Sequence, residues 1–212
     1  MTHVESPDGT RLPVRAVGPA NASVTLVLAP GAGTSMSHPS LVHLQTAIAA
    51  RGPRVVMFDF PYRARGRGAP DRMPVLVEAY RAVIDAVRSP PPARLFIGGR
   101  SMGGRVASHV AAAKTPVAGL VFLSFPLHPP GKPGIERAAH LQTIEAPMRF
   151  IQGTRDTFAR WDLLERVLAT LPTASLFAIP DADHSLHVPK RTGRTNDEVQ
   201  AAIIDDITAW IG

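Results

Sequence analysis

The stretch from Phe96 to Lys114, "FIGGRSMGGRVASHVAAAK", sets Ser101 between Gly99 and Gly103, with Gly98 and Gly104 just outside them. An apolar run stops there and a helix-period pattern begins. Strand, Gly-x-Ser-x-Gly, helix is the context in which this spacing exposes a serine hydroxyl on a sharp turn. The two inner glycines remove side chains that would otherwise collide around the turn. The N–H of Met102, at the start of the helix, is then free to donate to an oxyanion. A hydroxyl is a poor nucleophile until a base takes its proton, and the base works best when a third group orients it. Asp156, in "GTRD", and His184, in "DADHSL", each follow a later apolar run, at gaps of 55 and 28 residues. His187 is the alternative base, and Asp181 and Asp183 are alternative acids on the histidine's own loop. The chemistry this set supports is acyl transfer through a serine nucleophile.

The elements that must position these residues are legible as alternating patterns. "VTLVLAP", "RVVMFDF", "RLFIGG", "GLVFLSF", "MRFIQG" and "SLFAIP" are short, apolar and bounded by glycine or proline. They read as strands buried on both faces, as in a parallel sheet. Met73, Leu76, Val77, Tyr80, Val83, Ile84 and Val87 repeat at steps of three and four, which is one face of a helix. Leu163 to Leu171 and Val199 to Ile211 follow the same rule. Such alternation predicts an α/β fold with a mostly parallel, doubly wound sheet flanked by helices. The polar, turn-rich start predicts a hairpin around Pro7, Asp8 and Gly9. In sheets of this kind chemistry gathers at the carboxyl ends of the strands. Ser101, Asp156 and His184 each follow a strand.

The order Ser, Asp, His is that of the α/β-hydrolase triad, and the chain resembles α/β-hydrolases from "VTLVLAPGAG" to its C-terminal helix. It most resembles a small, lidless branch, that of the testis-expressed protein 30 and KAT8 regulatory complex subunit 3 hydrolase-like domains. The stretches "APGAGTSMSHP", "FDFPYR", "GGRSMGGR", "FPLHPPGKP" and "QGTRD" carry the likeness. It implies the hydrolase fold and a serine-hydrolase triad, and little about specificity. It also implies that the loop after "VTLVLAP" supplies a second oxyanion donor, for which the N–H of Ala32 or of Gly33 qualifies. A histidine is usual before that glycine; Pro30 stands there instead.

The same loop admits a rival. Gly31-Ala32-Gly33 after a strand is half of a dinucleotide fingerprint, and Asp59 ends the next strand, where a ribose-binding acid could sit. Against it, Met36 occupies the third glycine position and helix-period residues begin only near Leu41, too far on to hold a pyrophosphate. A catalytically inactive interaction module is a further alternative, whose signature would be a broken triad; all three positions are filled. His38 and His128 follow strands and are candidates to line a pocket. Arg63 and Arg65, with Arg67, leave the strand "RVVMFDF" at the catalytic edge and could favour an anionic substrate. His109 points along the nucleophile helix toward the core. No histidine pair has HExxH spacing and no carboxylate cluster suggests a metal, so neither metal nor cofactor is expected.

Composition narrows the classes. The chain has 212 residues, 45% hydrophobic and 19% charged, which suits one domain spanning 1–212. It has no cysteine, which excludes disulfides, thiolate metal sites and a cysteine nucleophile and is compatible with a reducing cytoplasm. The N-terminal stretch lacks the layout of a signal peptide, and no run is long enough to span a membrane. A net charge of +6 could attract nucleic acid, but the arginines are scattered and no aromatics interleave with them. The expected partner is a small ester-type molecule, with no nucleic acid and no membrane. Between "GLVFLSF" and "MRFIQG" lies only Pro126–Pro147, whose "PLHPPGKPG" prevents a continuous helix. The remainder has room for about three helical turns. That predicts a shallow site without a lid, suited to short, water-soluble acyl esters.

Overall fold

The computed structural model describes residues 2–212. The apolar runs become strands at Val24–Ala29 (β3), Arg54–Phe58 (β4), Arg94–Arg100 (β5), Gly119–Leu123 (β6), Met148–Gly153 (β7) and Ala174–Ile179 (β8). Preceding them, His3–Glu5 (β1) and Arg11–Val17 (β2) form the expected hairpin, whose turn is closed by the Gly9 N–H donating to the Ser6 carbonyl. All eight strands join one sheet in the order β1-β2-β4-β3-β5-β6-β7-β8. β2 lies antiparallel to β4, and the strands from β4 across to β8 are parallel.

This order contains the feature that creates the site. From β3 the chain goes to β4 on one side, then returns to place β5 on the other. Beyond the carboxyl ends of β3 and β5, the loops therefore diverge and leave a crevice between them, as at any topological switch point. The loop after β3 and the turn after β5 face each other across it.

The helices bury their apolar stripes on the two faces. Met73–Val87 (α3), Met102–Ala112 (α4) and Trp161–Leu168 (α5) cover one face, contributing Leu76, Val83, Val106, Val110 and Leu164 to its core. Pro39–Ala49 (α1) and Asn196–Ile211 (α6) cover the other with Leu44, Ile48, Ile203 and Ile207; a single turn, Pro61–Ala64 (α2), follows β4. The start of α6 is held by a capping box: the Thr195 hydroxyl accepts from the Glu198 N–H, and the Glu198 carboxylate accepts from the Thr195 N–H. The buried Tyr80 hydroxyl accepts from the Gly98 N–H at 3.0 Å and lies 2.8 Å from the Val27 carbonyl. It thus ties α3 to β3 and β5 just ahead of the serine turn.

Two expectations need correction. β8 is not buried on both faces: only Ile179 is fully buried, because β8 is the sheet edge and has β7 alone as neighbour. The segment with room for three helical turns forms a 3₁₀ helix, Glu136–Thr143, which packs on α4 through His140 rather than over the crevice. Among the described residues, no helix is long and apolar enough to cross a membrane.

Candidate active site

Ser101 sits between β5 and α4 with φ 50° and ψ −115°, a conformation that L-residues rarely adopt. The turn survives because its neighbours lack side chains. A Cβ on Gly99 would lie 2.4 Å from the Ala29 carbonyl oxygen, and one on Gly103 would lie 2.3 Å from that same atom. The two glycines therefore let the turn press against the end of β3, and not merely against itself. The Ser101 N–H donates to the Leu123 carbonyl at 2.8 Å, which fixes the turn to β6.

Three strand ends then converge. His184 Nε2 is 2.9 Å from Ser101 Oγ, and His184 Nδ1 is 2.9 and 2.8 Å from the two Asp156 oxygens. With Nδ1–H facing the carboxylate, Nε2 presents a lone pair to the serine hydroxyl, the arrangement general-base chemistry needs. The Asp156 side chain is 0% exposed and that of His184 21%, so the acid is shielded while the imidazole edge reaches the crevice. A buried carboxylate needs donors. Asp156 has them in the Phe158 N–H at 2.7 Å on Oδ1 and the Gln152 amide at 2.5 Å on Oδ2. The Phe158 ring stacks on His184 with centroids 4.2 Å apart, which limits the rotation of the imidazole.

The competing residues fall elsewhere. Asp183 Oδ1 accepts from the N–H groups of Ser185 and His187, closing the loop's own turn. Asp181 pairs with Arg191. His187 is exposed and lines the cavity beside Ser101 without touching the serine–acid axis.

That cavity, about 330 Å³, is lined by Ala32, Thr34, His38, Arg100, Ser101 and Phe158 among others. His38 is thus on its wall. His128 is not, contrary to expectation: it is buried beneath the 156–160 loop, where its N–H donates to the Phe158 carbonyl. Its Nε2 accepts from the Arg160 N–H and its Nδ1 faces the Pro129 carbonyl, so both ring nitrogens are partnered within the protein. Arg63 and Arg65 are also absent from the wall. Arg65 is drawn back to the hairpin by Asp8 and Thr10 and is paired with Asp71. Arg63 lies beside Asp59 at the base of α2.

The two oxyanion candidates in the first loop are separated by one hydrogen bond. The Gly33 N–H donates to the Tyr62 hydroxyl at 3.2 Å and is already engaged. Among the described residues, no group accepts from the N–H of Ala32 or Met102. Gly31 is not required for the approach of this loop to the serine turn, since a Cβ there would make an ordinary contact 3.6 Å from that of Ser101. Asp59 accepts from the Met36 N–H at 2.7 Å, so the acid weighed as a ribose ligand holds this loop in place instead. Its burial raises its pKa above the ordinary carboxylate value. Among the described residues, no cluster of three or more His, Asp or Glu could hold a metal.

Sequence reasoning missed Gln152, Phe158, Tyr62 and Arg100. Only Arg100 carried a local signal, as the charged residue between Gly99 and the serine. The others act through pairings between segments distant in sequence.

The architecture is the α/β-hydrolase fold, and the chain belongs to the alpha/beta hydrolase domain family, whose model matches residues 22–212. Among solved structures, it is similar to a Xanthomonas campestris protein described as an α/β serine hydrolase without lid. The two share 24% identity over 99% of this chain and 93% of that one, with a TM-score of 0.76. An α/β serine hydrolase homologue from Coxiella burnetii matches at 21% identity over 96% and 95% of the two chains, TM-score 0.77. Est1E from Butyrivibrio proteoclasticus, solved with ferulic acid bound, matches at 14% over 98% and 99%, TM-score 0.75. At such identities these likenesses speak to the fold.

Proposed function

We propose that this protein is a serine hydrolase of small carboxylic esters, acting as one domain over residues 1–212 in the cytoplasm. Within the family we place it beside the testis-expressed protein 30 and KAT8 regulatory complex subunit 3 domains, on the motifs quoted above. The observation that carries the reading is the continuous relay from Ser101 Oγ through His184 to the shielded Asp156, opening on a cavity beside two uncommitted backbone N–H groups.

In this reading Ser101 attacks the acyl carbon as its proton passes to His184 Nε2. Asp156 holds the Nδ1–H tautomer and stabilises the imidazolium that forms. The N–H groups of Met102 and Ala32 receive the oxyanion. Collapse of the tetrahedral intermediate expels the alcohol, which takes the proton from His184. Water, deprotonated by the same imidazole, then releases the acid. The substrate is a small soluble molecule; neither nucleic acid nor a membrane takes part, and no metal or cofactor enters a step.

The test is labelling by a fluorophosphonate probe, lost in Ser101→Ala, together with a p-nitrophenyl ester series from acetate to palmitate. We expect rates that peak at short chains and do not jump when the substrate forms an emulsion. An unlabelled wild-type protein would remove the hydrolase reading; a peak at palmitate would remove the preference for short esters.

A further inference from the structure

The cavity at Ser101 has a neighbour. A second one, about 370 Å³, lies between α1, the first turn of α6 and residues 185–187, and has an apolar floor that includes Leu44, Leu123 and Ile203. The two share a wall containing Ser40, Leu41, Arg100, Ser185 and His187. Arg100 is the residue before the nucleophile, and its guanidinium stands at the junction.

Its bonding there is incomplete. A guanidinium carries five N–H donors, yet its one acceptor among the described residues is Ser40 Oγ, at 3.2 Å from Nη1. Among the described residues, no carboxylate lies within ion-pair distance of it. Arg149 and Arg65, also partly buried, differ, the first bound through two nitrogens to Asp206 and the second to both Asp8 and Asp71; Arg63 and Arg105 resemble Arg100 in lacking a carboxylate, but neither lines the cavity at Ser101. Asp156 and Asp183 act on Arg100 only through space, and both are committed, to His184 and to the 185–187 turn. Burial opposes its charge, yet none of its nitrogens is both sealed from solvent and unpartnered, so its free N–H groups open onto accessible space where an anion can take them.

Resting on the hydrolase reading, we propose that the second cavity receives the acid side of the substrate and that Arg100 binds a carboxylate there. The preferred substrates are then half-esters of short dicarboxylic acids. The flat, forked edge of a guanidinium matches a planar carboxylate through two parallel bonds. A monoanion also fits the charge balance better than a doubly charged phosphate, because Asp197 lines the same cavity. The apolar floor suits the methylene chain between the carboxylate and the ester. Anion selectivity thus lies with Arg100, and not with the Arg63–Arg67 loop.

The experiment compares kcat/KM for monomethyl glutarate and methyl pentanoate, esters of five-carbon acids that differ in the terminal charge. We expect the wild-type protein to prefer the monoanion, and the ratio of the two constants to fall on the order of 10-fold in Arg100→Gln, since hydrogen bonds to a charged group are lost. An unchanged ratio, or a wild-type preference for methyl pentanoate, overturns the assignment and leaves the hydrolase reading standing. A second readout needs no turnover. In saturation-transfer NMR on Ser101→Ala protein, monomethyl glutarate should receive signal, and adding Arg100→Gln should abolish it; undiminished transfer overturns the assignment. Failure of the wild-type protein to take the fluorophosphonate or to hydrolyse any ester would remove the hydrolase reading instead, and the NMR comparison would still decide Arg100.

Discussion

Two serines on one segment each meet a histidine. Ser101 Oγ lies 2.9 Å from His184 Nε2, and Ser108 Oγ lies 2.7 Å from His140 Nε2. By distance alone the second pair is the better candidate. Everything around it argues otherwise. Ser108 is wholly buried within α4, and its hydroxyl donates to the Arg105 carbonyl at 2.7 Å, so it can only accept from His140. His140 must therefore carry its proton on Nε2, the reverse of the tautomer at His184. Behind His184 stands a carboxylate; against His140 stacks a second imidazole, His109, with centroids 3.8 Å apart, and Arg105 is nearby. Burial, reinforced by His109 and Arg105, pushes His140 down to about 4. One imidazole is held between a carboxylate and a serine hydroxyl, while the other is kept neutral by burial and a neighbouring ring. The contact between hydroxyl and imidazole is common to both; the acid behind it, the turn and the free N–H groups are not.

The largest effect should come from removing that acid. Asp156→Asn should fold and yet lose activity on the order of 10⁴-fold, because an amide favours the wrong imidazole tautomer. Ser108→Ala should keep both fluorophosphonate labelling and ester turnover. If Asp183→Asn lost activity while Asp156→Asn kept it, the acid would have been assigned to the wrong loop.

A smaller effect tests how the acid itself is held. Gln152→Leu removes the amide that donates to Asp156 Oδ2. A hydrogen bond to a charged group is worth about 1.5–3 kcal/mol, so kcat should fall at least about 10-fold while KM changes little. A matched loss in folding stability with unaltered kcat would make Gln152 a packing residue only.

The smallest effect lies at the other pair and is read as stability. The folded-state pKa of His140, about 4, is below the ordinary 6.5, so the unfolded chain takes up the proton first as pH falls. The destabilisation is absent above about 6.5 and grows down to about 4. Because the ring is partly open to solvent we expect on the order of 1 kcal/mol. Urea titrations across that window should show a shallower slope for His140→Asn than for the wild-type protein. Equal slopes would mean that His140 is protonated as readily folded as unfolded.

Much of the fold was legible in the sequence because parallel strands covered on both faces must be apolar throughout, and their helices must be apolar at steps of three and four. β8 departed from that rule because its place at the edge is a property of sheet order. The 3₁₀ form of Glu136–Thr143 was not legible either: room for a helix does not specify its hydrogen-bond pattern, and its seat on α4 depends on the His140 contact. At the site, the Ser101 turn was visible because glycine spacing is a local steric demand. His128 and Arg65 were misplaced because both follow strands, yet each is drawn away by partners more than 30 residues distant in sequence, Arg160 and Asp8.

The sequence by itself determined which residues could carry the chemistry and, through the strand–turn–helix pattern, that Ser101 would be held on a strained turn at the carboxyl end of a strand. Both follow from sterics and periodicity, which act over a few residues. Only the tertiary structure decided that Asp156 rather than Asp183 faces His184, that the Gly33 N–H is engaged by Tyr62 while that of Ala32 is left uncommitted, and that the Arg100 side chain rather than Arg63 or Arg65 lines the cavity at the serine. Each of these is a hydrogen bond or a cavity wall formed between strand ends brought together by the order of the sheet, and that order is fixed by packing across the whole chain.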